Sequence, residues 1–406
     1  MTRRSDARAR WVAIGALVLV VLVVAVGRRM ATETAPPLLI HRTLAADVRV
    51  PGNAPVLAWP REGQAAVDVE GVGRLGSSGD ITPVPIASVA KVMTAYLTLQ
   101  EHPLAAGKQG FVMTITSADV EELEQRVAEG QSTLPVTAGE RLTERQALQA
   151  LLVPSANNIA ALLAVYDAGS EAAFVSRMNA TARKLGMSST TYTDPSGFND
   201  GTVSTAVDQL KLAQVAMRTP AFTTIVKERS ADLPVAGTVA NFNALVGRDG
   251  YVGVKTGSDR AAGGCLVFAK RVAIDGRVLT VLGVVLGQRE GSLIEAALSS
   301  AQRLGDSAAA ALHPVTALPA RTTVLTASNV SGGRTTAVTT NALWEIGWDG
   351  MVLPVHVLRG TALTRLQPGQ RVAAVAVRGT GVLATTAVAT GALGGPSLSW
   401  RLQHLF

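Results

Sequence analysis

The chain has 406 residues, of which 48% are hydrophobic and 17% charged, and its formal net charge is +7. This length leaves room for two domains, and the composition excludes a globally disordered chain. Six arginines and Asp6 in the first 29 residues carry +5 of the net charge. The basicity therefore flanks a hydrophobic segment and does not form a nucleic-acid-binding surface, so we expect no nucleic-acid partner.

The N-terminal segment carries an uncharged apolar run at residues 11–27, with arginines on both sides. The run is slightly shorter than the ~20 residues that span a bilayer, but flanking arginines extend the reach of such a segment. It is typical of a signal peptide or a transmembrane anchor, and no clear Ala-x-Ala cleavage site follows it. We expect an uncleaved single-pass anchor in the cell membrane, with the rest of the chain on the extracytoplasmic face.

The next segment, residues 30–62, is rich in Pro, Ala and Thr and has no sustained hydrophobic period, which predicts an extended stalk. Alternating residues in QAAVDVEGVGRLGSSGD, at 64–80, predict a strand and a turn. A helix is predicted to open at Ser88. Helical patterns then prevail over residues 115–220.

Local signals inside this body mark individual elements. Thr143 and Gln146 form a capping-box pattern at the start of one predicted helix. Residues 251–287 carry strand patterns, and the Asp-Gly pair at 275–276 predicts a hairpin. A helix is predicted near 293–311. Strands at both ends of a helical block indicate a mixed α/β domain whose sheet is closed by early and late segments.

The last part of the chain is rich in Val, Thr, Ala and Gly, with short alternating runs such as RVAAVAVRG. This pattern predicts a small all-β domain. The expected divisions are a cytoplasmic tail with anchor at 1–29, a stalk at 30–62, a catalytic domain at 63–311, a linker at 312–323 and a β domain at 324–406.

Ser88 and Lys91 lie three residues apart in the run IASVAKVMTAY. On a helix this spacing puts the two side chains side by side, so a deprotonated lysine could activate the serine hydroxyl as a nucleophile. Lysine is rare here, with seven against thirty arginines, and only Lys91 has a serine three positions before it. A surface lysine beside a helix-capping serine would give the same sequence pattern, so the pair alone does not establish a catalytic site.

Two later stretches of the sequence favour a catalytic role for this pair. Ser155 and Asn157 follow a helix-ending proline in VPSANNIA, and Lys255, Thr256 and Gly257 lie in the strand-like VGVKTGS. Each stretch alone could instead have a purely structural role, as a helix cap, a turn or an exposed part of a strand. In this order, with intervals of 67 residues from Ser88 to Ser155 and 100 residues from Ser155 to Lys255, they complete the Ser-x-x-Lys, Ser-x-Asn and Lys-Thr-Gly series of penicillin-binding enzymes.

With these motifs, residues 63–311 resemble the serine D-alanyl-D-alanine carboxypeptidases, the low-molecular-weight penicillin-binding proteins of peptidase S11 type. PIASVAKVMTAY resembles their nucleophile helix, and MNATARKLGM, TDPSGFND, STAVDQLKLA and AAGGCLVFA resemble later segments. The ending PSLSWRLQHLF looks like the actinobacterial branch. The resemblance implies a penicillin-binding/β-lactamase-like α/β domain, with an antiparallel sheet flanked by helices and a helical subdomain, followed by an accessory β domain.

The resemblance also implies roles at the site. Ser88 would attack the carbonyl carbon between the last two D-alanines of a peptidoglycan stem peptide, with Lys91 as the base. Ser155 would pass a proton to the leaving amine, and N–H groups of Ser88 and Ser258 would form the oxyanion hole. Many relatives have a histidine or an aromatic residue at position 258, which puts the substrate preference in doubt. The implied substrate-binding residues are Asn157, Lys255, Thr256, Gly257, Ser258 and, as a carboxylate ligand of uncertain register, Arg289.

Three other functions use the same motifs. β-Lactam antibiotics should acylate Ser88, but a β-lactamase also needs a deacylating glutamate, and residues 191–205 contain none. A transpeptidase would use the same site with an amine acceptor. A non-catalytic peptidoglycan-binding protein would be expected to carry damaged motifs.

No cofactor is implied by these motifs. The five histidines are scattered, which predicts no metal site. The single cysteine, Cys265, lies in an apolar run and is predicted to be a buried, inert thiol.

Overall fold

The computed structural model describes residues 3–32, 36–360, 362–379 and 381–403. Met1 and Thr2 of the expected tail, residues 33–35 of the expected stalk, and residues 361, 380 and 404–406 of the expected β domain lie outside the described residues. One compact unit contains the residues up to Gly52, Val315–Glu345 and those from Asp349 onward; the second contains Asn53–Pro314 and Ile346–Trp348.

The described helices are α1 (Arg3–Thr32), α2 (Lys91–Glu101), α3 (Ser117–Ala128), α4 (Glu144–Leu152), α5 (Asn157–Ala168), α6 (Glu171–Lys184), α7 (Ala206–Ala216), α8 (Pro220–Ile225), α9 (Leu293–Ala310) and α10 (Leu398–Gln403). The described strands are β1 (Leu39–Arg42), β2 (Asp47–Arg49), β3 (Gln64–Val69), β4 (Gly73–Ser78), β5 (Val84–Pro85), β6 (Val112–Thr114), β7 (Arg141–Thr143), β8 (Val203–Ser204), β9 (Ser230–Leu233), β10 (Gly237–Ala240), β11 (Tyr251–Asp259), β12 (Gly263–Ile274), β13 (Arg277–Gln288), β14 (His313–Leu318), β15 (Thr323–Ser328), β16 (Arg334–Thr339), β17 (Leu343–Gly347), β18 (Val352–Arg359), β19 (Arg371–Arg378) and β20 (Val382–Ala389).

The second unit is built on an antiparallel five-stranded sheet in the order β11-β12-β13-β3-β4. Early strand β3 lies between late strand β13 and early strand β4, which confirms that the sheet is closed by segments from both ends of the helical block. The predicted Asp-Gly hairpin is also confirmed. Ile274 pairs with Arg277, and Asp275 and Gly276 have left-handed φ values of +49° and +74°.

Both faces of this sheet are covered. On β12, Cys265 belongs to the hydrophobic core shared with the helical block, while Phe268 packs against Gly305 of α9. A strand buried on both faces reads as a continuous apolar run, which explains GGCLVFA and the similar run in β13. Cys265 is completely buried, which confirms that part of the prediction, and burial raises the pKa of its thiol to about 12.

The helical block is centred on α2, which packs against α4, α5 and α7. The capping box predicted at Thr143 is present at the start of α4, where it contributes about 1 kcal/mol to the free energy of unfolding. The predicted helix start at Ser88 is wrong by three residues. A 3₁₀ turn over Ala87–Ala90 precedes α2, because Ala87 has a left-handed φ of +45° and Val89 N donates to Ile86 O.

The first unit contains a seven-stranded sheet in the order β1-β15-β16-β20-β19-β18-β2. Its two edge strands come from the segment predicted as an irregular stalk at 30–62, so that prediction is wrong for residues 39–42 and 47–49. Leu39 pairs with Ser328, and Val48 pairs with Leu353. Partners this distant in sequence leave no local periodic signal. The β structure predicted after residue 324 is therefore completed by strands from near the N-terminus.

The linker predicted at 312–323 is also partly regular. β14 begins at His313 and pairs with β17 in a two-stranded sheet. Pro314 is tolerated there because both strands of a two-stranded sheet are edge strands, which can accommodate a residue without an N–H.

The apolar N-terminal run lies within α1. Among the residues that the structure describes, no single helix is long and apolar enough to cross a membrane; the apolar stretch Ile14–Arg28 is shorter than the required length. The helices α5 and α6 meet the length and composition criteria only as a pair bent by 84°.

The edge strands generate a prediction about stability. A chain beginning at residue 53 lacks β1, β2 and the buried side chains of Leu38 and Val50, each of which contributes about 1.5–3 kcal/mol. Its first unit should unfold at a lower temperature than that of a chain beginning at residue 36, measured by differential scanning calorimetry. The longer chain is the control because it retains both strands. Equal transition temperatures would show that the two strands contribute nothing to stability.

Candidate active site

The turn that precedes α2 carries Ser88. Its preceding residue, Ala87, approaches the backbone of Gly197 so closely that a Cβ at Gly197 would lie 1.9 Å from Ala87 O. On another side the turn meets β11, because a Cβ at Gly257 would lie 3.0 Å from Ser88 N and 2.9 Å from Val89 N. Ser88 itself is half-buried. Two close backbone approaches thus fix the position of its hydroxyl.

Lys91 begins α2, and its side chain is completely buried. Its Nζ donates hydrogen bonds to Ser88 Oγ at 2.7 Å, to Asn157 Oδ1 at 2.6 Å and to Ser196 O at 3.1 Å. Burial, and then the charge of Lys255, hold the pKa of the Lys91 ammonium well below its usual range. A lysine in this environment loses its proton more readily than an exposed lysine, and the neutral amine can accept a proton from the serine.

The loop between α4 and α5 carries Ser155 and leads to Asn157. Ser155 is buried with a left-handed φ of +66°, and its Oγ has no hydrogen-bond partner among the described residues. Of the residues in this motif, Asn157 and not Ser155 accepts a hydrogen bond from Lys91. The amide Nδ2 of Asn157 donates to Gln131 Oε1 at 2.8 Å. Strain at an unpartnered polar residue is typical of a functional site.

The strand β11 carries the Lys-Thr-Gly motif past the nucleophile turn. Lys255 and Thr256 are buried, and Lys255 Nζ donates to Thr256 O at 2.9 Å. Burial lowers the pKa of Lys255 to about 7. Gly257 is buried against the turn, and Ser258 is half-buried at the end of the strand.

Arg289 follows β13 and is exposed. Its Nη1 donates to Arg260 O at 2.9 Å and its Nη2 to Ala261 O at 2.5 Å, so its guanidinium holds the turn between β11 and β12. These contacts do not bring it to Lys255 or Thr256. Arg289 also lines a cavity of about 890 Å³ between the segment around Trp59 and α9, which none of the motif residues lines.

Four residues of the site were missed by the sequence analysis. Asp194 binds Ser196 N at 3.1 Å and Ser196 Oγ at 2.6 Å, which shapes the loop that presents Ser196 O to Lys91. Gln131 contacts Asn157, and Arg126 of α3 lowers the pKa of Lys91. The Asp-Pro-Ser-Gly run signals a turn, but nothing in the sequence marks Gln131 or Arg126. No group of three or more His, Cys, Asp or Glu side chains within the described ranges could hold a metal ion.

Comparison with known proteins agrees with this geometry. The family model for the D-alanyl-D-alanine carboxypeptidases, peptidase S11, matches residues 67–289. The D-alanyl-D-alanine carboxypeptidase of Streptomyces sp. strain K15 is 33% identical over 216 residues, which cover 49% of this chain and 71% of the relative. The D-alanyl-D-alanine carboxypeptidase DacB2 of Mycobacterium tuberculosis is 32% identical over 53% of this chain and 72% of its own length.

Solved structures of other proteins share the fold of this chain. The Streptomyces K15 DD-transpeptidase superposes with a TM-score of 0.52 at 28% identity, covering 64% of this chain and 98% of that protein. The carboxypeptidase DacD of Francisella tularensis, at 21% identity, shares the fold over 84% of this chain and 95% of its own, with a TM-score of 0.59. A relative from Escherichia coli, 30% identical over 45% of this chain and 58% of its own, is named an endopeptidase. The chain belongs to the D-alanyl-D-alanine carboxypeptidase family, peptidase S11, and is a serine-type D-Ala-D-Ala carboxypeptidase.

Proposed function

We propose that Ser88 is the nucleophile of this carboxypeptidase and Lys91 its general base. The observation that carries this assignment is the 2.7 Å hydrogen bond between Lys91 Nζ and Ser88 Oγ, made by a completely buried lysine. The neutral amine takes the hydroxyl proton as Ser88 Oγ attacks the carbonyl carbon between the two D-alanines. The C–N bond then breaks, D-alanine leaves, and the shortened stem peptide remains as an ester on Ser88.

Ser155 is proposed to deliver a proton to the leaving amine. Its buried Oγ has no protein partner within the described residues, so this hydroxyl is available to bridge the base and the departing nitrogen. Asn157 is proposed to hold the substrate amide through the second hydrogen of Nδ2, since the first is bound by Gln131.

The wall of the site formed by β11 is proposed to bind the negative charges of the substrate. Lys255, aided by the Thr256 hydroxyl, attracts the terminal carboxylate, and the N–H groups of Ser88 and Ser258 stabilise the developing oxyanion. Gly257 lets β11 come close enough for these two N–H groups to converge. Arg289 contributes indirectly, because its hydrogen bonds fix the turn that follows Ser258.

A water molecule is proposed to complete the cycle by hydrolysing the ester, and a β-lactam is proposed to acylate Ser88 and leave slowly. The loop after α6 supports slow release. Its Asp194 carboxylate accepts from Ser196 N and Oγ, from Phe198 N and from Thr202 Oγ1, so it is committed to holding the loop. A rapidly deacylating β-lactamase would need a carboxylate that is available to activate water.

We further propose that the apolar run at 11–27 attaches the protein to the cell membrane, with the catalytic unit on the extracytoplasmic face. The support is its uncharged composition, its flanking arginines and its helical conformation within α1. A small all-β unit that includes β1 and β2 then follows directly on the anchor.

Membrane attachment predicts co-flotation with lipid vesicles. The full chain should float with phosphatidylethanolamine–phosphatidylglycerol vesicles, because transfer of the apolar run into the bilayer is favourable. A chain beginning at residue 36 should stay in the soluble fraction and serves as the control. A full chain that remains soluble would contradict the anchor, and the mass of the protein recovered from a bacterial envelope would show whether the segment is cut.

Removal of the nucleophile predicts loss of penicillin labelling. Wild type should form a covalent adduct with a fluorescent penicillin, and Ser88→Ala should form none, as read on a denaturing gel. Ser77→Ala, an exposed serine on β4, is the matched control and should label as wild type does. Equal labelling of wild type and Ser88→Ala would contradict the assignment, and no labelling of either would favour a non-catalytic binder.

The same proteins should be assayed for D-alanine release from a peptide ending in D-Ala-D-Ala. Wild type should release it, and Ser88→Ala should not. Turnover of nitrocefin faster than turnover of the peptide would indicate a β-lactamase, and transfer of the acyl group to an added amine in preference to water would indicate a transpeptidase.

The close approach of β11 predicts that Gly257→Ala slows acylation. The added Cβ would lie 2.9–3.0 Å from backbone atoms of the nucleophile turn, and overpacking of this kind costs about 1–3 kcal/mol. If that cost falls on the transition state, the second-order rate constant for penicillin acylation should drop by about 10-fold to 100-fold. Gly381→Ala, where a Cβ meets nothing within 4 Å, is the control. An unchanged rate in Gly257→Ala would exclude a tight fit at the proposed oxyanion hole.

A further inference from the structure

The side-chain amide of Asn157 has a defined direction. Its Oδ1 accepts from Lys91 Nζ at 2.6 Å, and its Nδ2 donates to Gln131 Oε1 at 2.8 Å. An ammonium can only donate and an amide oxygen can only accept, so both contacts require the same orientation of the amide. With Asn157 only 4% exposed, water has little access to replace either partner.

Gln131 has its own direction fixed by charges behind it. Its Nε2 donates to Glu129 Oε2 at 2.6 Å, and its Oε1 lies 3.5 Å from Nη1 of Arg126. Turning the Gln131 amide over would set its NH₂ group against the guanidinium and its oxygen against the carboxylate. Arg126 is in turn paired with Glu122 and Glu171. The direction of the Asn157 amide is therefore determined by charged residues of α3 and its C-terminal loop.

The backbone around Gln131 is held independently of its side chain. Ser132 O accepts from Asn157 N at 2.7 Å, and Leu134 exchanges hydrogen bonds of 2.9 and 3.0 Å with the Asn158 side chain. Gln131 N also donates to Arg126 O at 3.0 Å. A substitution of the half-buried Gln131 side chain should leave the loop in place, which allows its effect on the site to be measured separately from folding.

We propose that Gln131 is a positioning residue for acyl transfer: by accepting a hydrogen bond from Asn157 Nδ2, it keeps Asn157 Oδ1 turned toward Lys91. It also leaves the second Nδ2 hydrogen directed at the substrate. This role deepens the proposed function and rests on it, because it presupposes that Lys91 is the base and that Asn157 holds the substrate amide.

The proposed role affects the proton on Lys91. A fixed Oδ1 stabilises the ammonium, whereas the neutral amine tolerates either end of the amide. Losing the constraint therefore favours the neutral form and lowers the pKa of Lys91. The charged groups that act on Lys91 are Lys255 of β11, Asp194 of the loop after α6 and Arg126 of α3, and none of them changes in the substitutions below.

Two substitutions of Gln131 test the proposal by moving the pH profile in opposite directions. Gln131→Met keeps the length of the side chain but removes the hydrogen-bond acceptor. The rates of penicillin acylation and D-alanine release should fall about tenfold. The acidic limb of the pH profile of acylation should move to lower pH. Gln131→Glu keeps an acceptor and adds a negative charge, so the maximal rate should stay near that of wild type and the acidic limb should move to higher pH. The exposed Glu129 side chain can turn into solvent to relieve its repulsion from the new carboxylate.

Gln125→Met, at an exposed position of the preceding helix α3, is the matched control and should acylate as wild type does over the whole pH range. The proposal is overturned if Gln131→Met retains the rate and pH profile of wild type. It is also overturned if both Gln131 variants lose rate equally with an unmoved acidic limb and a lower melting temperature, because that pattern describes a purely structural residue. Failure of the proposed function would instead appear in the wild-type protein, as penicillin labelling that does not depend on Ser88.

Discussion

A lysine side chain withdrawn completely from water is the constraint on which the catalytic unit depends. An unpartnered ammonium is strongly destabilised in a protein interior and tends to lose its proton there. Two opposing effects act on the proton of Lys91. Three oxygen atoms favour its charged form, while burial and Lys255 favour its neutral form. A group balanced in this way can take up and return a proton in each turnover at small cost, which is what a general base needs.

The three oxygen atoms around Lys91 come from separate parts of the fold. Ser88 lies on the turn before α2, Asn157 starts α5, and Ser196 lies on the loop after α6. Packing of the helical block brings them together, and two residues with left-handed φ values, Ala87 and Ser155, lie where the chain turns sharply beside the site. The sheet supplies the remaining wall, because β11 runs against the nucleophile turn with only a glycine between them. The reactivity proposed for Ser88 thus depends on the whole unit and on no single segment.

The sequence predicted those parts of the molecule that chemistry or local geometry restricts to a few residue types. A capping box and an Asp-Gly hairpin each require particular residue types at fixed spacing, and each is present where it was predicted. The Ser-x-x-Lys spacing likewise brings Lys91 Nζ to 2.7 Å from Ser88 Oγ. Gln131 escaped prediction because a hydrogen-bond acceptor can come from many residue types, and only the fold brings this one to Asn157. β1 and β2 escaped for a related reason: their partners lie about 280 to 310 residues further along the chain. The resemblance implied that Arg289 binds the substrate carboxylate. The guanidinium instead donates to Arg260 O and Ala261 O, contacts that depend on the local register of the turn and leave no signal in the sequence.

The two edge strands of the seven-stranded sheet also determine the order in which the chain can fold. Seen from that sheet, the catalytic unit is an insertion between β2 and the strands that follow residue 314. During synthesis the two N-terminal strands emerge first, and their backbone N–H and C=O groups stay unpaired until β15 and β18 have been made. The catalytic unit contains nearly all of its own strands and helices in one continuous stretch and can fold in the meantime. Completion of the β unit therefore requires synthesis through β18, and a product truncated before β15 would be left with open strand edges that favour its aggregation or degradation.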